Sequence, residues 1–135
     1  MVAEAIERRM KKDFSSLIQN DLVLGILLYG SAAKHEQTER SDIDVCVVAP
    51  GVHDKVQFSR SILAQVKDER YDVRLFELLP LYLKIQVIEE GKVIHTHDVY
   101  ELYEYFYSFR KLWDDQKERQ TLSKEEALML FAPLT

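Results

Sequence analysis

Two aspartates separated by one residue are the feature of this sequence that most directly indicates chemistry. Asp42 and Asp44 stand at the start of an apolar run. Side chains at positions i and i+2 of a strand point to the same face, so the two carboxylates are expected to lie side by side. Neighbouring carboxylates repel each other, and a hard divalent cation such as Mg²⁺ relieves that repulsion. A solvated strand end carrying two acidic residues is the alternative that this pattern leaves open.

A Gly-Ser pair precedes these aspartates and follows another apolar run. Ten residues separate Ser31 from Asp42. Glycine at position 30 permits a tight turn and a close approach of the backbone to an anion. The Ser31 hydroxyl and nearby backbone N–H groups could bind a phosphate, especially where a helix begins. An ordinary strand-to-helix turn with a serine cap explains the pair equally well.

Asp72 is the candidate for a third carboxylate. It lies near the start of another predicted strand, with Arg74 on the same strand face and Glu77 expected on the opposite face. If this strand neighbours the one that carries Asp44, Asp72 can face the aspartate pair. Three carboxylates would suit a two-metal site for in-line displacement. A surface aspartate paired with Arg74 is the alternative.

Strands and helices alternate along the chain around these residues. Apolar runs of strand length predict strands over residues 22–29, 43–49, 71–78 and 92–96. Helical periodicity, capping residues and Pro80 predict helices over residues 3–18, 54–68, 80–90 and 99–118, and a short final helix that begins at Ser123. This order predicts an α/β or α+β fold, in which a small mixed sheet is flanked by helices.

The helix over residues 99–118 is rich in aromatic residues. A stripe expected to pack on the sheet contains Val99, Leu102, Tyr103, Phe106, Phe109 and Trp113. Further aromatic side chains lie outside this stripe. They indicate either tyrosines on an ordinary surface helix or a contact with a protein partner, which could be a second copy of the chain.

Composition limits the class of protein. A chain of 135 residues, 47% hydrophobic and 30% charged, predicts one globular domain. We expect a core over residues 1–98 and a helical extension over 99–135 packed on the same domain. The net charge of −5 argues against a binder of duplex nucleic acid. One cysteine, a charged N-terminus and no apolar run of membrane-spanning length favour a cytoplasmic protein without a membrane segment.

Taken together, these motifs resemble a known signature. The string LLYGSAAKHEQTERSDIDVCVV resembles that of the polymerase-β-type nucleotidyltransferase superfamily, in which Asp-x-Asp follows Gly-Ser after about ten residues. The closest similarity is to the minimal nucleotidyltransferases (MNT), which are often paired as antitoxins with small helical HEPN toxins. The string YDVRLFELLPLYLKIQVIEEGKVIHTHD resembles the strand with the third aspartate and the helix and strand that follow it. The resemblance covers roughly residues 20–98.

The resemblance implies a polymerase-β-like nucleotidyltransferase fold and a role for each motif. Asp42, Asp44 and Asp72 would be catalytic and would bind Mg²⁺. The enzyme would transfer a nucleoside monophosphate from a nucleoside triphosphate (NTP) to a hydroxyl and release pyrophosphate. AMP from ATP, transferred to a tyrosine of the cognate HEPN-type toxin, is the reaction that the MNT resemblance favours.

The same resemblance assigns triphosphate binding to the segment after the first strand. Gly30 and Ser31 would hold the triphosphate. Lys34 and His35 stand where many members have Arg-Gly. Lys34 can neutralise a phosphate as a point charge, without the bidentate geometry of arginine.

Two other functions are compatible with the sequence. A catalytically silent module could neutralise a toxin by complex formation, which the aromatic helix and the Lys34-His35 departure favour but the three aspartates disfavour. A small-molecule nucleotidyltransferase of the aminoglycoside-modifying kind is a further alternative. Such enzymes usually carry a larger C-terminal domain than the 37 residues that follow Asp98 here.

Overall fold

A computed structural model describes residues 2–30, 42–66 and 68–131, with side chains between residues 4 and 118. Its strands are β1 Gly25–Tyr29, β2 Ile43–Val48, β3 Tyr71–Leu75 and β4 Lys92–Thr96. Its α-helices are α1 Val2–Asp13, α2 Ser15–Ile18, α3 Lys55–Gln65, α4 Leu81–Glu90 and α5 Val99–Phe131. A 3₁₀ turn, Phe76–Leu78, follows β3.

The four strands form one mixed sheet in the order β3-β2-β1-β4. β1 pairs antiparallel with both β2 and β4, whereas β2 pairs parallel with β3. The parallel pair requires a crossover connection, which α3 supplies between β2 and β3. The predicted fold class, a small mixed sheet with flanking helices, is therefore confirmed.

Helices cover both faces of the sheet, and the alternation of side chains along the strands explains how. Residues of β1 and β2 that point to one face pack against α1, α2 and α3, in a cluster that includes Met10, Phe14, Ile26, Leu28, Val45, Val47, Phe58 and Ile62. Residues that point to the other face pack against α4 and α5, in a cluster that includes Leu27, Tyr29, Cys46, Val48, Phe76, Val87, Leu102 and Phe106. Because both faces are covered, the central strands read as continuous apolar runs.

Helix α5 is attached to the sheet through an aromatic cluster around Phe76. The Phe76 ring lies 5.2 Å from that of Phe106 and 5.3 Å from that of Phe109. Leu102 is fully buried beside them. The predicted stripe was wrong at its edges, because Val99 and Tyr103 are 38% and 56% exposed. Val99 is the first residue of the helix, and Tyr103 borders a cavity together with Leu27 and Val93 of the sheet, so both lie at the rim of the packed side.

Three predicted elements differ from the structure. The helix expected over residues 3–18 breaks at Phe14, whose backbone leaves helical geometry (φ −102°, ψ 17°). The strand expected over 71–78 ends at Leu75, where the 3₁₀ turn begins. No separate final helix begins at Ser123, because α5 continues through it to Phe131. The sequence from 99 to 131 contains neither glycine nor proline, so nothing interrupts the helix.

The 3₁₀ turn also changes the direction of Glu77. Strand alternation predicted this side chain on the face opposite to Asp72. Instead, the turn brings it to α5, where its carboxylate accepts hydrogen bonds from the Ala49 backbone N–H (2.9 Å) and the Tyr105 hydroxyl (2.8 Å). Glu77 thus ties the end of β2 to α5.

Within the described residues, no helix combines the length and apolar character needed to cross a bilayer.

We expect Leu102→Ala to lower the free energy of unfolding by about 2–5 kcal/mol, because it empties a fully buried site between α5 and the sheet. Leu112→Ala is the matched control on the same helix, since Leu112 is 46% exposed. Its effect should stay within about 0.5 kcal/mol. Urea denaturation of both variants measures the difference. Equal effects would contradict the packing of α5 described above.

Candidate active site

The strand register places three side chains in one row across the sheet. The antiparallel pairing of β1 with β2 sets Tyr29 opposite Asp44. The parallel pairing of β2 with β3 sets Asp44 opposite Asp72. Side chains at paired positions point to the same face and lie close enough to interact. The structure therefore brings Asp72 beside Asp44, as the candidate site requires.

Asp44 occupies the centre of this row, and its surroundings disfavour its charge. Burial raises the pKa of Asp44 above its usual value. The negative charges of Asp72 and Asp42 raise this pKa further, whereas the Arg74 guanidinium opposes them. Asp42 is exposed just before β2 begins. The three predicted carboxylates thus interact electrostatically, and a cation beside Asp44 would relieve the repulsion among them.

These carboxylates form an incomplete metal site by themselves. Across residues 2–30, 42–66 and 68–131, no group of three or more His, Cys, Asp or Glu side chains is arranged to hold a metal ion. The arrangement fits Mg²⁺ nonetheless, because this ion commonly takes one or two protein carboxylates and completes its shell with substrate phosphates and water. Asp44 with Asp72 or Asp42 could supply that share.

Gly30 lies directly against the Asp44 carboxylate. Its φ of +68° is in the left-handed region that favours glycine. A Cβ atom at this position would lie 2.5 Å from Asp44 Oδ2. Only glycine therefore allows the backbone to turn at the end of β1 without displacing the carboxylate. This close approach is the structural reason for glycine at the start of the Gly-Ser pair.

The other residues predicted to bind the triphosphate lie outside the described residues. Ser31, Lys34 and His35 fall within the segment 31–41, of which the structure describes nothing. Their roles stay predictions.

Arg74 supplies a positive charge beside the row. Its Nη2 atom lies 3.6 Å from Asp72 Oδ2, and the two side chains are 50% and 43% exposed. Solvent screens a pair this exposed, so its contribution to stability is small. The alternative interpretation of Asp72 as the partner of Arg74 therefore describes a real but weak contact, which leaves the Asp72 carboxylate accessible to a cation.

Tyr29 is a member of the row that the sequence motifs did not identify. Burial raises the pKa of Tyr29 to about 12, with the Asp44 and Asp72 charges adding to this effect and Arg74 opposing it. The hydroxyl consequently stays protonated at neutral pH. Its place in the row follows from the pairing of Tyr29 with Asp44, which the sequence motifs do not show.

Contacts at the start of β3 hold Asp72 in place. The hydroxyl of the preceding residue, Tyr71, donates a hydrogen bond to Asp13 Oδ2 at 2.7 Å. Its ring meets that of Phe14 edge-on, with centroids 5.0 Å apart. Arg9 joins the same region by a 2.7 Å contact with Asp68. The end of α1 is thereby fixed to the strand that carries the third carboxylate.

Solved structures share this arrangement of helices and strands. A toxin-antitoxin structure with AMP-PNP superposes with a TM-score of 0.64 at 19% identity, covering 90% of this chain and 98% of that one. A Shewanella oneidensis structure, the tri-AMPylated HEPN toxin in complex with its MNT antitoxin, gives a TM-score of 0.59 at 18% identity, with 93% and 98% covered. At these identities the likeness establishes a shared fold and nothing further.

Sequence comparison identifies the family. The model of the polymerase beta nucleotidyltransferase family matches residues 12–100. A Methanocaldococcus jannaschii protein named "Putative protein adenylyltransferase MJ1547" is 47% identical over 112 residues, which cover 80% of this chain and 87% of the relative. The chain belongs to the polymerase beta nucleotidyltransferase family, so the resemblance seen in the sequence is confirmed.

We expect Gly30→Ala to destabilise the protein by at least about 1–2 kcal/mol, because an L-residue at a positive φ is strained and its Cβ would strike Asp44. Gly51→Ala is the matched control. A Cβ at Gly51 would meet nothing closer than Leu22 Cδ2 at 3.6 Å, and its φ lies outside the left-handed region. This control should stay within about 1 kcal/mol of wild type. Denaturant unfolding of both variants measures these changes in the free energy of unfolding. A Gly30→Ala variant as stable as wild type would refute the close approach to Asp44.

Asp44→Asn should stabilise the protein at pH 7 when no divalent cation is present. Because the folded-state pKa of Asp44 is raised, its ionisation destabilises the fold. This loss of stability is complete at pH values above the raised folded-state pKa of Asp44. It is absent at pH values below the unfolded-state pKa of 3.8. The advantage of the variant should therefore shrink as the pH falls toward that value. Asp54→Asn, which keeps the N-cap of α3, is the control.

Unfolding in urea with a chelator present, repeated across this pH range, measures the advantage. A variant less stable than wild type at pH 7 would show that the carboxylates are not in conflict.

Proposed function

We propose that this protein transfers AMP from ATP, with Mg²⁺ bound, to a tyrosine hydroxyl of a HEPN-type toxin and thereby acts as the antitoxin. The observation that carries the proposal is the row across the sheet, in which Asp44 and Asp72 are paired in register and Gly30 packs against Asp44. Such a row concentrates negative charge at a surface where a metal-bound triphosphate could be received.

The comparisons support the choice of nucleotide and acceptor. The relative with 47% identity is named as an adenylyltransferase that acts on protein. One structure of the same fold was solved with AMP-PNP, and another contains a HEPN toxin that carries three AMP groups. AMP transfer to a protein partner accounts for all three.

In this proposal Asp44 and at least one of Asp42 and Asp72 would hold Mg²⁺. The ion would neutralise the triphosphate and stabilise charge that develops during in-line displacement. The triphosphate would approach over Gly30, whose missing side chain leaves the backbone accessible. Ser31 and Lys34 would bind phosphate oxygens, on the strength of the family resemblance alone.

The chain's own residues would position the acceptor and take its proton. The acceptor oxygen attacks the α-phosphorus, and the bond from that phosphorus to the leaving pyrophosphate breaks. The hydroxyl proton passes to the Asp72 carboxylate, which is 43% exposed and can reach an incoming group. Arg74 would attract the negative phosphates, and the protonated Tyr29 hydroxyl could donate to an oxygen in the site. Catalysis would then rest mainly on positioning and charge neutralisation.

A protein acceptor is also consistent with the charge of the chain. A net charge of −5 provides no general attraction for duplex nucleic acid, whereas a protein partner needs no basic track.

We further infer a catalytic core over residues 1–98, a helical extension over 99–135, and a cytoplasmic location. The family match to residues 12–100 supports this division of the chain.

A second candidate function is neutralisation of the toxin by binding alone. The exposed tyrosines of α5 favour it, because Tyr100 and Tyr107 are 81% and 66% exposed and could contact a protein partner. The two candidates differ in whether the carboxylate row is needed.

Isothermal titration with ATP, with and without Mg²⁺, tests the nucleotide site. We expect binding that requires Mg²⁺ and is lost or weakened by at least about tenfold in Asp44→Asn, because that change removes a metal-binding charge. Asp54→Asn, an exposed aspartate at the start of α3, should bind as wild type does. Equal ATP affinity in wild type and Asp44→Asn would refute the assignment of the row.

Transfer of label from ATP carrying a radioactive α-phosphate to a HEPN-type toxin tests the reaction. We expect the double variant Asp42→Asn/Asp44→Asn to lose transfer by at least about 100-fold while it still forms the complex. Replacement of the accepting tyrosine by phenylalanine should abolish labelling. If the double variant still neutralises the toxin in cells, binding alone is the function.

A further inference from the structure

One side of α5 exposes aromatic rings, although the opposite side is buried in the core. Leu102 and Phe106 are 0% and 4% exposed, whereas Tyr100, Tyr103 and Tyr107 are 81%, 56% and 66% exposed. Large aromatic side chains gathered on one surface are typical of a protein contact site. Nothing in the proposed reaction uses these tyrosines.

Three adjoining cavities run along α5. The first lies on the helix alone, and the other two open between α5 and its neighbours, with Ile88 and Val93 lining one and Ile85 and Glu89 lining the other. The first is a shallow depression, wide open to solvent, lined by Tyr100, Tyr103, Glu104 and Tyr107. The next, of about 430 Å³, shares Tyr103 and Tyr107 and adds Arg110. A third, of about 270 Å³, shares Arg110 and reaches Asp114. We call this surface the α5 stripe, which consists of Tyr100, Tyr103, Glu104, Tyr107, Arg110 and Asp114.

The stripe is complementary to itself when it is reversed. Positions 100, 103, 107, 110 and 114 are spaced alternately by three and four residues, which is the spacing of helix-to-helix packing. When two copies of a helix lie antiparallel about a twofold axis at Tyr107, each residue faces the one equally far beyond the axis. Glu104 then faces Arg110, Tyr100 faces Asp114, and Tyr103 faces Lys111, which lies just outside the stripe.

We propose that a second copy of this chain occupies the α5 stripe and forms a symmetric antiparallel dimer about Tyr107. Every charge on the stripe then meets a suitable group. The Glu104 carboxylate pairs with Arg110 of the second copy, and the Tyr100 hydroxyl donates to Asp114 of the second copy. Symmetry repeats both contacts, and the two Tyr107 rings meet at the axis, where aromatic stacking is favourable.

The groups needed for this contact are available on the single chain. Glu104 and Arg110 are both exposed, and the side chain of neither makes a hydrogen bond or an ion pair with any residue that the structure describes. Dimer formation would therefore replace no interaction of the monomer. None of the row residues Tyr29, Asp44 and Asp72 lines the three cavities, so the proposed contact does not use them.

The size of the contact predicts a reversible dimer. From residue 100 to residue 114 a helix extends only about 21 Å, at about 1.5 Å per residue. A contact of that length is smaller than the roughly 800 Å² per partner of a typical stable interface. We therefore expect monomer and dimer to exchange, with a distribution that depends on protein concentration.

Sedimentation velocity over a range of concentrations, combined with charge exchange, tests the pairing. Glu104→Arg alone sets two positive charges against each other at both symmetric contacts, and Arg110→Glu alone does the same with two negative charges. Each should raise the dimer dissociation constant at least about tenfold. The double variant Glu104→Arg/Arg110→Glu should restore wild-type dimerisation. An equimolar mixture of the two single variants should form a heterodimer, because the repulsion within each homodimer is then absent. One contact joins the two introduced residues, which carry opposite charges, and the other joins the native Glu104 to the native Arg110.

Arg60→Glu is the matched control, since Arg60 is exposed on α3, which packs on the other face of the sheet. It should dimerise as wild type does. A wild-type chain that stays monomeric at all concentrations would overturn the proposal, as would single variants that dimerise normally. Failure of the double variant to restore the dimer would overturn the antiparallel register. None of these outcomes depends on ATP binding, so the proposed reaction is tested separately.

Discussion

The parallel pairing of β2 with β3 imposes the constraint on which the site depends, because it holds two like charges side by side. Asp44 and Asp72 face each other in register, with Asp42 close enough to add its charge. Hydrophobic packing on both faces of the sheet maintains this register, since a shift by one residue would turn the apolar side chains of β2 away from their partners. The core therefore enforces a local conflict that a bound cation would relieve.

The same constraint explains which residue type is required at a neighbouring position. Gly30 is required because the chain turns against the Asp44 carboxylate with no room for a side chain. The hydrogen bond from Tyr71 to Asp13 fixes the start of β3, and the Glu77 carboxylate fixes the far end of β2 to α5.

Periodicity and turn residues in the sequence were sufficient to predict the four strands and most of the flanking helices. The spacing of Asp42, Asp44 and Asp72 indicated a candidate site, and the catalytic roles of these residues stay predictions. The apolar runs around Leu27 and Val45 indicated buried strands, and Asp54 indicated the start of α3. Tyr29 could not be assigned, because its place beside Asp44 depends on strand register, which is a long-range property. Glu77 was placed on the wrong face, because local propensity does not show where a strand gives way to a 3₁₀ turn. The helical pattern placed Val99 and Tyr103 on the side of α5 that packs on the sheet. This was wrong, because only tertiary packing determines which side chains of the helix are buried.

Diffraction from crystals grown with Mn²⁺ and a non-hydrolysable ATP analogue would test the central claim most directly. Mn²⁺ prefers the same oxygen ligands as Mg²⁺ and gives an anomalous signal that locates it without ambiguity. We predict an anomalous peak for a Mn²⁺ ion bound by Asp44 and at least one of Asp42 and Asp72, with the triphosphate passing over Gly30. A nucleotide bound elsewhere, or an ion that contacts none of these carboxylates, would contradict the assignment of the row.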